Sequence, residues 1–257
     1  MTPTPTLRVA PLSGLRRHEG VDPLRVERLR ERIRAEGIQV NPMVCVEADG
    51  NLVVLDGATR TEALRALGLE HAVVQVVDPG QVELETWHHV VRQCAPSDLL
   101  ELVVSSEGLS LDEDRGAPRI RPASGPTRSV TSEELTPNAT LSALVSTYIG
   151  RWPVSRVTEA DAGVAKSLFH DWAALVELPT LSVNDVMRAA LGDDLLPAGI
   201  TRFLIPGRAL RLNFDLSLLE AEGTTAEKQK RLEALIETRS REGRVRRYDE
   251  TVFIYDD

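Results

Sequence analysis

The stretch VLDGATRTEALRALG, residues 54–68, constrains the fold more than any other part of the chain. An apolar run ends at Asp56, Gly57 follows, and amphipathic helical spacing begins at once, so a strand must turn tightly into a helix start. The first turn of a helix carries amides without intrahelical partners, and the macrodipole places partial positive charge on them. Phosphate is a natural ligand there. Thr59 and Glu62 also spell TxxE, a capping box in which the two side chains satisfy those same amides. On these residues alone the capping box is the default, because capped helices far outnumber phosphate sites.

The neighbouring sequence reads as a compact mixed unit over residues 7–78. DPLRVERLRERIRAEG predicts a helix with Asp22 as cap, Pro23 at the first position and Gly37 as stop. MVCVEADGNLVVLD predicts a hairpin about Asp49 and Gly50, a helix follows from about Arg60 to Leu67, and AVVQVVD predicts a third strand. Beyond Asp78 the pattern changes. LETWHHVVRQ reads as a helix, and residues 105–140, rich in Pro, Gly, Ser, Thr and charge, read as a long mobile loop. DAGVAKSLFHDWAALVEL and SVNDVMRAAL read as helices, the second capped by Ser182. FLIPGRALRLNF suggests two short strands joined through Pro206 and Gly207, AEKQKRLEALIETRSREG an amphipathic helix, and RVRRYDETVFIYDD a final strand. No internal repeat is visible.

Composition narrows the functional classes. The net charge of −9 argues against a protein that coats nucleic acid, and the arginines of the first helix alternate with Glu27, Glu31 and Glu36 as on an ion-paired solvated face. No run approaches the roughly 18 apolar residues of a membrane span, and MTPTPTLRVAPLSG lacks a secretory pattern, so a soluble cytoplasmic protein is expected. Cys45 and Cys94 have no metal-type spacing and read as core residues in a reducing compartment. The adjacent His88 and His89 make a poor metal pair on a helix, and no structural metal is expected.

HEGVDPLRVE, VVLDGATRTEALRALG, ETWHHVV, LPAGITRFLIPGRALRLN and RRYDETVFIYDD together carry a resemblance. The N-terminal unit resembles the ParB N-terminal and sulfiredoxin superfamily, in which a GxxR element at a helix start cradles nucleotide phosphates. Within it the chain is most similar to the free L-serine kinases, including the kinase of staphyloferrin B siderophore loci. The motifs fall in family order across both ends of the chain; residues 105–140 are not covered. The resemblance implies an α+β fold: a ParB-like nucleotide-binding lobe over residues 1–80, a mostly helical second lobe over 81–198, and a segment over 199–257 that completes the fold. The active site would lie in the cleft between the lobes, with the C-terminal segment closing over the substrate.

The chemistry implied is phosphoryl transfer from ATP or ADP, with magnesium, to the hydroxyl of free L-serine, giving O-phosphoserine for amino-acid or siderophore-precursor synthesis. Such a transfer asks mainly for positioning and charge neutralisation. Gly57, Ala58, Thr59 and Arg60 match the phosphate cradle, with Arg60 offering a planar fork. Glu19 matches the family's proton acceptor; taken by itself it is a surface carboxylate. Asp56 matches an aspartate that orients the substrate amine or a magnesium ion on the phosphates, or else it is a strand-end turn residue. Thr201, Arg202 and Trp87 match substrate contacts, although Trp87 reads equally well as a core residue and Arg202 as the outward residue of a strand. Relatives usually carry histidine at the position of Thr59, and often at Ala58. Ala58 also excludes the cysteine that sulfiredoxin chemistry requires. The other class left open is a ligand-responsive regulator that binds DNA or haem, though neither a helix-turn-helix nor a haem attachment motif is evident.

Overall fold

The computed structural model describes residues 5–247. Its N-terminal part is built on a five-stranded mixed sheet. The strands are β1 (Thr6–Pro11), β2 (Leu15–Arg17), then, beyond helix α1 (Pro23–Glu36) and the short β3 (Ile38–Gln39), β4 (Met43–Ala48) and β5 (Asn51–Asp56). Helix α2 (Ala58–Ala66) leads to β6 (His71–Val76), and the sheet order is β1-β6-β4-β5-β2. The expected signals hold: the Asp22 side chain accepts from the Leu24 amide, Pro23 opens α1, Gly37 closes it, and β4 pairs antiparallel with β5 about Asp49 and Gly50.

The apolar run of β4 and β5 has a two-sided use. Val46, Val53 and Leu55 face one hydrophobic core, whereas Met43, Cys45 and Val54 face another, as strand alternation requires. The second of these cores is completed from far away in sequence. Leu212, Phe214, Leu216, Leu219 and Leu232 pack into it beside Val9, Leu64 and Val74. They come from β15 (Phe214–Asp215), α7 (Leu216–Glu220), α8 (Thr225–Arg241) and the turn before them; β15 pairs with β3. A capping box between Thr224 and Glu227 starts α8.

The middle of the chain departs from expectation. Residues 83–92 form two strands, β7 (Glu83–Thr86) and β8 (His88–Arg92), in place of a helix. Val90 and Val91 are both inaccessible and feed opposite cores, so the β-branched pair is used as a central strand uses it. The buried histidines bond locally, His88 accepting from the Leu178 amide at 3.1 Å and His89 Nδ1 meeting the Tyr148 hydroxyl at 2.8 Å, while His89 Nε2 is buried without a hydrogen-bond partner among the described residues. Helix α3 (Pro96–Val104) follows. The expected loop is largely three antiparallel strands, β9 (Ser110–Glu113), β10 (Arg119–Pro122) and β11 (Arg128–Thr131), with β11 between the other two, and α4 (Pro137–Tyr148) already begins within its last residues. Its signal was short: in β10, Ile120 is buried while Arg119 and Arg121 turn outward to Glu177.

Strand β12 (Val154–Val157) precedes α5 (Ala162–Leu168), and the expected helix over 161–178 breaks there into strand β13 (Trp172–Glu177). A continuous buried run, Ala174 to Val176, has no periodicity to separate strand from helix. The second sheet therefore has the order β12-β8-β13-β10-β11-β9, so residues 81–198 are not mostly helical. Helix α6 (Val183–Leu191) carries the Ser182 cap as expected. The strands expected over 203–214 do not pair with each other: β14 (Thr201–Leu204) pairs with β7, and β15 with β3. The expected final strand has no strand structure over 244–247, and its remainder lies outside the described residues.

Candidate functional site

At the junction of β5 and α2, Gly57 adopts φ +104° and serves as the helix cap residue, with no side-chain hydrogen bond to the first turn. The Thr59–Glu62 capping box is not formed. The helix begins two residues earlier, with Gly57 as its cap, so Thr59 lies inside the first turn and Glu62 is left to pair with Arg17 at 2.8 Å and Arg65 at 2.5 Å. The amides of Ala58, Thr59 and Arg60 have no intrahelical partner, as at any helix start. A side chain at position 57 would meet Arg60 Nη1 at 2.8 Å and Met43 Cγ at 2.9 Å, so only glycine fits the turn. Ala58 is buried and Thr59 is half-buried.

Arg60 folds back under this turn. Its Nη1 donates to the Pro42 carbonyl at 3.0 Å, and burial holds its pKa below the ordinary guanidinium value, with Asp56 opposing the fall. It braces the turn, with part of its fork already committed to the main chain. Asp56 is itself engaged: its carboxylate forms an ion pair with Arg208, whose other nitrogen donates to the Phe203 carbonyl at 3.2 Å. The Arg208 loop is pinned by Gln75, which donates to the Gly207 carbonyl at 3.0 Å and accepts from the Ala209 amide at 2.8 Å.

Glu19 lies just after β2. Its backbone is stapled to residue 196: the Leu196 amide donates to the His18 carbonyl, and the Gly20 amide to the Leu196 carbonyl, each at 2.9 Å. Its carboxylate accepts from the Gly199 amide at 2.9 Å. Gly199 has φ +79°, and a Cβ there would collide with the Arg156 guanidinium, so the loop that holds Glu19 also depends on a glycine.

Two residues farther on, Thr201 meets the imidazole of the inaccessible His18, whose Nε2 is 3.2 Å from the Thr201 hydroxyl and whose Nδ1 is 2.7 Å from the Val54 carbonyl. Burial lowers the His18 pKa, while Glu19, the Val54 carbonyl and Asp56 pull it up. Arg202 belongs to another cluster. Thr201 pairs with Thr86 and Arg202 with Glu85, so the two neighbours stand on opposite faces of the β7–β14 ribbon. The Arg202 guanidinium lies 4.9 Å above the Trp87 ring and bonds Glu85 at 2.7 Å.

The structure therefore gathers Gly57 to Arg60 with Asp56 at one place, and Glu19 with Thr201 at another, both linked through His18 and Val54. Arg202 and Trp87 form a separate pair. His18, Gly199 and Arg208 were not anticipated: Arg208 sits in an irregular turn without periodic signal, whereas His18, directly before Glu19, was open to notice. Among the described residues no cluster of three His, Cys, Asp or Glu side chains could hold a metal ion. An open concavity of about 530 Å³ lined by Ser13, Arg65, Gly68 and His71 lies at the other end of α2.

No protein-family model matches the chain. It is 27% identical over 84% of its length, and 85% of the relative's, to the ATP-dependent L-serine kinase SbnI of Staphylococcus aureus. It is 29% identical to an ATP-dependent L-serine kinase of Staphylothermus marinus over 38% of its length and 40% of that protein's. Among solved structures, SbnI with a C-terminal truncation from Staphylococcus aureus superposes with a TM-score of 0.73 at 23% identity, covering 90% of this chain and 96% of that one. A free serine kinase in complex with AMP gives 0.73 at 16% identity, covering 85% and 95%. These structures share the α+β fold.

Proposed function

We propose that this protein is a kinase that transfers a phosphoryl group from ATP to the hydroxyl of free L-serine, yielding O-phosphoserine for amino-acid or siderophore-precursor synthesis. The observation that carries this reading is the link made by His18, whose ring bonds Val54 on the strand that leads into the open helix start at Gly57 and also Thr201, next to the Gly199 loop that holds the Glu19 carboxylate. The amides bind the phosphates and Arg60 stiffens the turn that presents them. Glu19 accepts the proton of the serine hydroxyl as the oxygen attacks phosphorus. Thr201 offers its hydroxyl to the amino acid, while Arg202, on the other face of the β7–β14 ribbon, holds Trp87 and Glu85 in place behind it. Arg208 stands next to the cradle and supplies a second cation for transferring phosphate once it leaves Asp56.

Magnesium fits the donor chemistry in a limited way. The half-exposed Asp56 carboxylate beside the cradle is one oxygen donor, and this ion commonly takes one or two carboxylates with phosphates and water supplying the rest. When bound it would neutralise charge on the phosphate oxygens. ATP is preferred as donor because both sequence relatives are named for it. The same names favour a kinase over a DNA- or haem-binding regulator. No described helix is long and apolar enough to cross a membrane, and two free cysteines suit the reducing cytoplasm where ATP is abundant.

The test is to incubate the purified protein with magnesium, ATP or ADP, and a panel of free hydroxy amino acids. O-phosphoserine from L-serine is the expected product. Nucleotide binding without phosphorylation of any amino acid would defeat the proposal.

A further inference from the structure

His18 connects three parts of the site, and its ring nitrogens are not equivalent. A carbonyl oxygen has no proton to give, so at 2.7 Å from the Val54 carbonyl Nδ1 must be the protonated nitrogen. The ring is inaccessible, and burial holds it neutral against the pull of Glu19, the Val54 carbonyl and Asp56. In a neutral ring with its proton on Nδ1, Nε2 offers a lone pair alone. The Thr201 hydroxyl, 3.2 Å away, is therefore the donor of that bond. A threonine hydroxyl has one proton. With it committed to His18, Thr201 presents only acceptor lone pairs to anything else in the site.

We propose that His18 is a positioning residue that fixes Thr201 as an acceptor-only group, so that Thr201 receives the ammonium of the amino-acid substrate and is unable to hold its carboxylate. An ammonium has donors and no acceptor, and a carboxylate the reverse, so the location of one imidazole proton distinguishes the two ends of a free amino acid. The choice originates in the main chain at Val54, the residue on β5 two before Asp56. The identity of the ligand rests on the serine-kinase reading; the polarity of Thr201 does not.

Two measurements test this. Long-range proton–nitrogen correlation on protein labelled with nitrogen-15 histidine reads the tautomer of His18 directly. Protonated Nδ1 with bare Nε2 is expected at pH 7.5, and a proton on Nε2 overturns the inference. Calorimetry in the presence of ADP then compares L-serine, 3-hydroxypropanoate, which lacks the ammonium, and ethanolamine, which lacks the carboxylate. Thr201→Val should weaken serine and ethanolamine by roughly 10-fold or more, the loss of a hydrogen bond to a charged group, and leave 3-hydroxypropanoate within about twofold. His18→Gln can donate through its amide and accept through its carbonyl, so it should retain the preference, whereas His18→Leu should lose it. Equal weakening of all three ligands in Thr201→Val overturns the inference. Serine that binds with this pattern and is never phosphorylated would defeat the kinase reading alone.

Discussion

At the scale of single residues, the clearest dependence concerns Glu19. Glu19→Gln keeps the shape and the bond from the Gly199 amide while removing the proton acceptor, so turnover should fall by about 10²- to 10⁴-fold. Nucleotide affinity should hardly change, because the proposed phosphate cradle is made by the amides of Gly57 to Arg60 and not by this carboxylate. Single-turnover kinetics and a nucleotide titration separate the two, and turnover within about threefold of wild type would remove Glu19 from the chemistry. Buried histidines set the response to acid. Burial, with Arg156 and His88 adding to it, takes His89 from its usual 6.5 down to about 4, against the pull of the Gly199 backbone, while its Nδ1 bonds the inaccessible Tyr148. The folded state thus disfavours the charged ring, and the unfolded chain takes up the proton first. The stabilisation is complete above pH 6.5 and is lost as pH falls toward 4, at roughly 3 kcal/mol for His89 alone. His18 and His88 are lowered in the same direction. Denaturant midpoints measured between pH 7 and 4 should fall steadily, and His89→Gln should flatten the curve. A flat wild-type curve would contradict this account.

Among the elements, the turn from β5 into α2 has the least tolerance. Gly57→Ala must accept a strained positive φ and also push aside Arg60 or Met43, at a cost of about 1–3 kcal/mol. Nucleotide affinity should drop with it, since the displaced guanidinium is the brace of the cradle. Thermal unfolding with and without ADP would show both losses, and an unchanged ligand-induced shift would sink the cradle assignment. That turn was legible because its grammar is local: an apolar run, Asp56, Gly57, then helical spacing. The same is true of α1 between Asp22 and Gly37 and of α8 after Thr224. Elements defined by tertiary pairing were not. HHVVR in β8 is a strand because β12 and β13 flank it, and RIRP in β10 because β13 and β11 do. The site divides along the same line. Glu19, Asp56 and Gly57 fall in recognisable motifs, whereas the Asp56–Arg208 pair spans 152 residues and the His18–Thr201 bond 183.

At the scale of the whole molecule, the core behind the cradle is assembled from both ends of the chain. Leu212, Phe214, Leu216, Leu219 and Leu232 pack against Val9, Leu64 and Val74. Burial of each such side chain stabilises by about 1.5–3 kcal/mol, so together they match the entire net stability of an ordinary domain. A fragment ending at residue 198 should therefore lack fixed tertiary structure by near-ultraviolet circular dichroism and bind no nucleotide; a folded, nucleotide-binding fragment would refute this. The arrangement also orders events at the ribosome. Many proteins fold their first domain while the rest is still being made. Here the strands that emerge first must wait for Phe214 and α8, an interval on the order of 10 s at usual elongation rates. The proposed phosphate cradle, encoded early, is thus completed late, and a nascent chain arrested before residue 212 would present an unfinished sheet to chaperones and no grip on nucleotide.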